Sequence, residues 1–265
     1  MSVRHLVLLL ALLVAVTPVL ANPLGAIKRV ARETGGTEID HGPFDALLKA
    51  HVNEQGEVDY GGVASDSSVL DGYIGAVGRV DVERLSEEEH LALLINAYNA
   101  FTLKLITEYD EGGDLESIMD IPEAKRWDHE RWAVAGGTYS LNQIEHELIR
   151  PVFKDARIHF ALVCAAESCP LLRRFAYTGD DLDEQLERAT AASHRDPRWA
   201  SYDVRRNRLR LTKLYDWYGQ DFVDEAGSVE AYAARYMPAL KTAMDRGRSP
   251  RIEFVDYSWA LNAQR

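Results

Sequence analysis

The residues able to do chemistry crowd into two neighbouring stretches. His159 to Cys169 carries a histidine and both cysteines of the chain, Cys164 and Cys169, with Ser168 beside the second. Glu145, His146 and Arg150 stand just upstream. A thiol becomes a nucleophile when a base or a helix N-terminus favours its thiolate. Pro170 suits the first turn of a helix, which would put Cys169 or Ser168 at the cap. His159 or His146 would then act as base, with Glu145 orienting the imidazole. Asn96 or Asn99 would donate to an oxyanion. This set predicts a hydrolase or an acyl or peptidyl transferase of the cysteine type. Its catalytic residues would be Cys169, Cys164, His159, Glu145 and His146, and its substrate-binding residues Asn96, Asn99, Ser168 and Arg150.

The same two cysteines support a competing expectation. Four residues separate them, enough for a turn to bring their Cα atoms within bridging range. A Cys164–Cys169 disulfide would remove both thiols from nucleophilic work and leave a non-catalytic binding module with a structural polar network. Glu145-His146-Glu147 with His159 also supplies metal-ligand types. Adjacent helical residues point about 100° apart, however, and the His-Glu-x-x-His spacing is missing. No metal and no cofactor is therefore assigned. Tyr215, Trp217 and Tyr218 are spaced either to stack a sugar or peptide or to fill a core.

Regular elements must position these groups. Ser86 and Glu89 make a capping box, and a helix from Ser86 to Ile106 follows. It is apolar on nearly every side, which predicts a buried central helix with Asn96 and Asn99 facing one direction inside it. Ser140 and Gln143 cap a second helix, which Pro151 is expected to end. Glu145 falls at the edge of its buried stripe, while His146 and Arg150 point away. Ile158 to Cys164 reads as a buried strand, with His159 and Cys164 on opposite faces. Shorter helices are expected over 44–49, 179–192 and 214–218, and a longer one from Ser228 to about Met244. Val58 to Gly62 reads as an extended piece closing in a glycine turn, Ser201 to Thr212 as a hairpin, and Arg251 to Val255 as a last strand. The mixture lacks a strand-helix-strand rhythm. It predicts an α+β single compact domain, with the buried helix packed on a small mixed or antiparallel sheet. The element order has a papain- or transglutaminase-like analogy, although no cysteine opens the central helix.

The chain's first residues set the compartment. Arg4, an apolar run from Leu6 to Val16, Pro18 and the Ala21-Asn22 junction have the layout of a secretory signal peptide over residues 1–21. A loose leader over 22–39 and a domain over 40–265 would follow. The expected location is periplasmic or secreted, with no stable membrane span after cleavage. An oxidising compartment is where a disulfide persists. The formal charge is −12 over the whole chain, and loss of Arg4 makes the mature protein one unit more acidic. Such a surface repels nucleic acid. The expected partner is a small-molecule or peptide-like ligand.

Several stretches taken in order resemble the family called domain of unknown function 547. They are Val58-Asp59-Tyr60, Leu94 to Ala100, Leu141 to Arg150, His159 to Pro170, Tyr215-Asp216-Trp217-Tyr218 with Asp221-Phe222, and Phe254 to Asn262. Together they cover roughly residues 40 to 262. Ser258 departs from the pattern, where an acidic or similar polar residue is expected. Family members occur as exported bacterial proteins, and in plants the domain follows a coiled-coil segment. The resemblance implies a fold and a common site. It does not imply a reaction.

Overall fold

The computed structural model describes residues 39–264, so the signal peptide expected over 1–21 and nearly all of the leader lie outside the described residues. Three helices, α1 (Gly42–His51), α2 (Tyr60–Ser65) and α3 (Ser67–Val77), pack beside the long central helix α4 (Glu87–Tyr109). Asp59 caps α2 through the Gly62 N–H, so Gly61 and Gly62 are helical rather than a turn. A Cβ at Gly62 would lie 2.3 Å from His51 Nδ1, which explains the glycine.

The capping box of α4 forms as expected. Ser86 Oγ accepts the Glu89 N–H at 3.1 Å, and Glu89 Oε2 accepts the Ser86 N–H at 2.6 Å. Every residue from His90 to Leu103 is buried. A two-stranded antiparallel hairpin, β1 (Trp132–Val134) and β2 (Gly137–Tyr139), lies against this helix. There Phe101 stacks on Trp132 with centroids 4.8 Å apart, a pairing that contributes about 1 kcal/mol beyond its area burial.

Helix α5 runs Leu141–Gln143, widens into a π-helical turn over Ile144–Ile149, and resumes as Arg150–Phe153. It does not end at Pro151. Proline has no N–H to give to the carbonyl four residues back. The turn before it is looser, and the Arg150 N–H bonds to the Glu145 carbonyl five residues back. A 3₁₀ turn, Ala156–Phe160, replaces the first half of the expected strand, and irregular chain runs from Ala161 to Gly179. No helix starts at Pro170.

The remaining elements are α6 (Leu182–Arg195), β3 (Ala200–Asp203), β4 (Arg208–Leu211), α7 (Leu214–Trp217), α8 (Gly219–Ala226), α9 (Val229–Ala234), α10 (Pro238–Asp245) and β5 (Arg251–Phe254). Pro238 divides the single helix expected over 228–244 into α9 and α10. The sheet is mixed: β4 pairs antiparallel with β3 and parallel with β5. The fold is α+β, as expected, with two apolar cores. One surrounds α4. The other gathers Phe160, Leu209, Leu211, Tyr215, Phe222 and Tyr232 between the mixed sheet and α7–α10. The 3₁₀ turn crosses between them, with Ile158 in the first core and Ala156 and Phe160 in the second. Among the described residues, no helix is long and apolar enough to cross a membrane.

Candidate functional site

A cleft of about 240 Å³ opens at the seam of the two cores. Its inner end holds Glu145, which the π-helical turn rotates inward to leave only 6 % of the residue exposed. Turns of this kind recur at functional sites because they re-aim one side chain inside a regular helix. The Tyr98 phenol, from the middle of α4, lines the cleft and interacts with the Glu145 carboxylate. The Tyr218 phenol, from the residue after α7, interacts with it as well. Burial first, and the Glu145 charge second, hold both phenols far above the usual tyrosine range. They remain donors at any physiological pH.

His159 enters the same cleft from the 3₁₀ turn. Its ring stacks on Tyr218 with centroids 4.0 Å apart, and its Nε2 lies 2.7 Å from Asp221 Oδ2. Asp221 also accepts two hydrogen bonds from Arg150, from Nε at 2.8 Å and Nη2 at 3.0 Å. Burial pushes the Asp221 carboxyl up, but the bonds from His159 and Arg150 outweigh it and hold the group well below the ordinary carboxylate range. Burial lowers the His159 pKa more than Asp221 raises it. A neutral ring beside Asp221 carries its proton on Nε2, which leaves Nδ1 as its acceptor.

The floor of the cleft is a Cys164–Cys169 disulfide with Cα atoms 6.2 Å apart. Tyr257 sits over it, its hydroxyl 3.2 Å from Cys164 Sγ and 3.1 Å from Cys169 Sγ. Tyr257 packs between Trp217 and Trp259, at 4.7 and 4.6 Å, and Trp127 continues the wall beyond Trp259 at 5.6 Å. Trp217 is 46 % exposed, although Tyr215 two residues earlier is fully inside the second core. The aromatic run therefore divides between core and cleft.

Long-range backbone bonds hold the wall over the floor. Ser258 N–H donates to Ser168 Oγ at 2.8 Å, Glu167 N–H to the Ala260 carbonyl at 2.8 Å, and Asn262 N–H to the Ala165 carbonyl at 3.1 Å. Asn142, at the start of α5, fixes the other end by donating its N–H to the Trp127 carbonyl at 3.0 Å.

The expected site residues fall into three groups. Glu145, His159, Cys164 and Cys169 come together on the cleft. His159 and Cys164 share it because the segment between them is not a strand, so the opposite-face expectation does not hold. Both cysteines are bonded, and Cys169 caps no helix, so neither acts here as an activated thiolate. His146 and Arg150 line an adjacent cavity with Asp221 and Asp224. His146 Nδ1 lies 4.0 Å from Glu145 Oε1, yet it accepts from Arg150 Nη1 at 3.1 Å. Asn96, Asn99 and Ser168 do not face the cleft. Asn96 exchanges both bonds with the Tyr177 backbone, and Asn99 donates to the Ala161 carbonyl while accepting the Val163 N–H. Ser168 joins the floor to the C-terminal segment.

Sequence reasoning missed Tyr98, Trp127, Tyr257 and Trp259 as cleft residues. Tyr98 had one signal, a phenol between the two asparagines of an otherwise apolar buried helix. The others come from distant loops, and only the tertiary fold assembles them.

The fold and site define an α+β domain whose disulfide-floored aromatic cleft surrounds one buried carboxylate. Within it, residues 82–192 match the model of the family described as Protein of unknown function, DUF547. That span contains Tyr98, Glu145, His159 and both cysteines, while Trp217, Tyr218, Asp221, Tyr257 and Trp259 lie beyond it. No curated protein and no solved structure matches the chain.

Proposed function

We propose that this chain is an exported binding module whose cleft takes a small ligand. Glu145 is the recognition residue, Trp217 and Trp259 form the apolar wall, and the disulfide with the Arg150–Asp221–His159 chain is the frame. The observation that carries the reading is a buried carboxylate facing an aromatic cleft, with the Tyr98 and Tyr218 phenols beside it and no lysine or arginine in the lining among the described residues. Concave, mostly apolar sites with a few convergent polar groups are where small molecules bind. The oxidised cysteines fit an oxidising compartment.

A thermal-shift panel of small amines, neutral sugars, dicarboxylates and short peptides tests this with the full oxidised chain. At least one class should raise the melting temperature, and both Glu145→Gln and Trp217→Ala should abolish that rise. No rise with any class, or a rise untouched by both substitutions, contradicts the reading. A second reading keeps the enzymatic expectation without the thiols, because Glu145 and His159 share the cleft and His159 bonds Asp221 through Nε2. Turnover by the oxidised chain that Glu145→Gln and His159→Gln both remove would favour it.

A further inference from the structure

We infer that the cleft is built for a small organic cation, a primary ammonium on a short alkyl stem. This rests on the reading of the cleft as a ligand site and names the ligand's class. A carboxylate with 6 % exposure is costly unless an opposite charge compensates it. Among the described residues the nearest basic groups act on it only from a distance: His146 Nδ1 lies 4.0 Å away, and Arg150 interacts with it electrostatically while bonding Asp221. No lysine or arginine lines the cleft among the described residues. Arg150 commits its guanidinium fork to Asp221, and His146 Nδ1 is already an acceptor from Arg150. The hydroxyls that interact with Glu145 in the cleft belong to Tyr98 and Tyr218, and both are neutral.

The surrounding walls act in the same direction. The faces of Trp217, Tyr257 and Trp259 carry the negative side of the ring quadrupole, which attracts ammonium groups. These rings pack on one another, so they form a platform beside the cation and do not enclose it. A ligand with an anionic group would meet Glu145, those faces and an overall charge of −12. The room is also limited. A cleft of about 240 Å³ lies at the small end of ligand sites and suits an alkylamine.

Isothermal titration calorimetry of the full oxidised chain with pentane-1,5-diamine tests the inference. Pentane-1,5-diol supplies the same length without charge, and glutarate supplies the opposite charge. The diamine should bind at least about tenfold more tightly than either, and Glu145→Gln should weaken it at least about tenfold. Glu87→Gln, on the exposed first turn of α4, should leave it unchanged and so separates cleft binding from attraction to the acidic surface. A melting curve establishes that Glu145→Gln is folded. Equal binding of diamine and diol, or diamine binding that survives Glu145→Gln, overturns the cation inference. If a neutral sugar instead binds and Glu145→Gln abolishes it, the cleft remains a ligand site and only its class is wrong. If no compound binds and the panel above shows no response, both readings fall.

Discussion

Removing the Cys164–Cys169 bond tests whether it braces the cleft. The bond spans a sequence separation of 5, a short loop. Cross-linking so short a loop limits the unfolded chain by about 2 kcal/mol in the loop-entropy picture. A domain of this size shifts its melting temperature by roughly 2–4 °C per kcal/mol, so Cys164→Ser with Cys169→Ser should lower it by roughly 4–8 °C. The local consequence should exceed the global one. Tyr257 loses both sulfur contacts, and Trp217 and Trp259 pack directly on Tyr257. Scanning calorimetry reads the first effect, and tryptophan emission reads the second as a red shift when the wall loosens. Alkylation of the unreduced, unfolded chain followed by mass spectrometry should find no reactive thiol. Two alkylatable thiols, or a double variant that melts with the parent and keeps its emission maximum, would refute the bracing role.

Other substitutions probe the frame and the pH response. Asn99→Ala removes an amide that bridges the Ala161 carbonyl and the Val163 N–H, and should cost about 2–4 kcal/mol by denaturant titration. Asp221→Ala strips Arg150 and His159 of their shared acceptor, and at its partial exposure should cost roughly 1–3 kcal/mol. Trp217→Ala, which strips a half-exposed ring packed on Tyr257 and Trp259, should cost about 1–2 kcal/mol while losing ligand response. His194 is buried, and that burial lowers its pKa to about 4. The unfolded chain therefore takes up its proton first. Stability should be full above about pH 6.5 and fall by roughly 3 kcal/mol as the pH drops to about 4. His159 and His41, shifted the same way by burial, add to the fall. A melting temperature that stays flat from pH 7 to 4 would contradict this.

Local signals in the sequence located much of the fold. The capping boxes at Ser86 and Ser140 placed the starts of α4 and α5, because their hydrogen bonds lie within four residues. The run from Leu91 to Phe101, apolar on nearly every side, identified the buried helix. Where the outcome depended on distant partners, local pattern misled. The apolar run at Ile158 to Cys164 looks like a strand, but its burial comes from crossing between two cores, and Asn99 serves the backbone bonds a neighbouring strand would have made. Glu145 was legible as a costly carboxylate at a helix edge. Its full inward turn depends on the π-helical widening ahead of Pro151, which periodicity at 3.6 residues cannot show. The tryptophan wall was least legible, since Trp127, Trp217 and Trp259 are separated by most of the second core and meet only through contacts such as Ser258 to Ser168.

The central claim is that the cleft between the two cores is the ligand site. Amide hydrogen exchange of the full oxidised chain tests it most directly, with and without the compound that most raises the melting temperature. The expected result is slowed exchange in residues 141–150, 214–218 and 257–259, with helices α1 to α3 unchanged. Protection confined to α1–α3, or no change along 141–150, would contradict it.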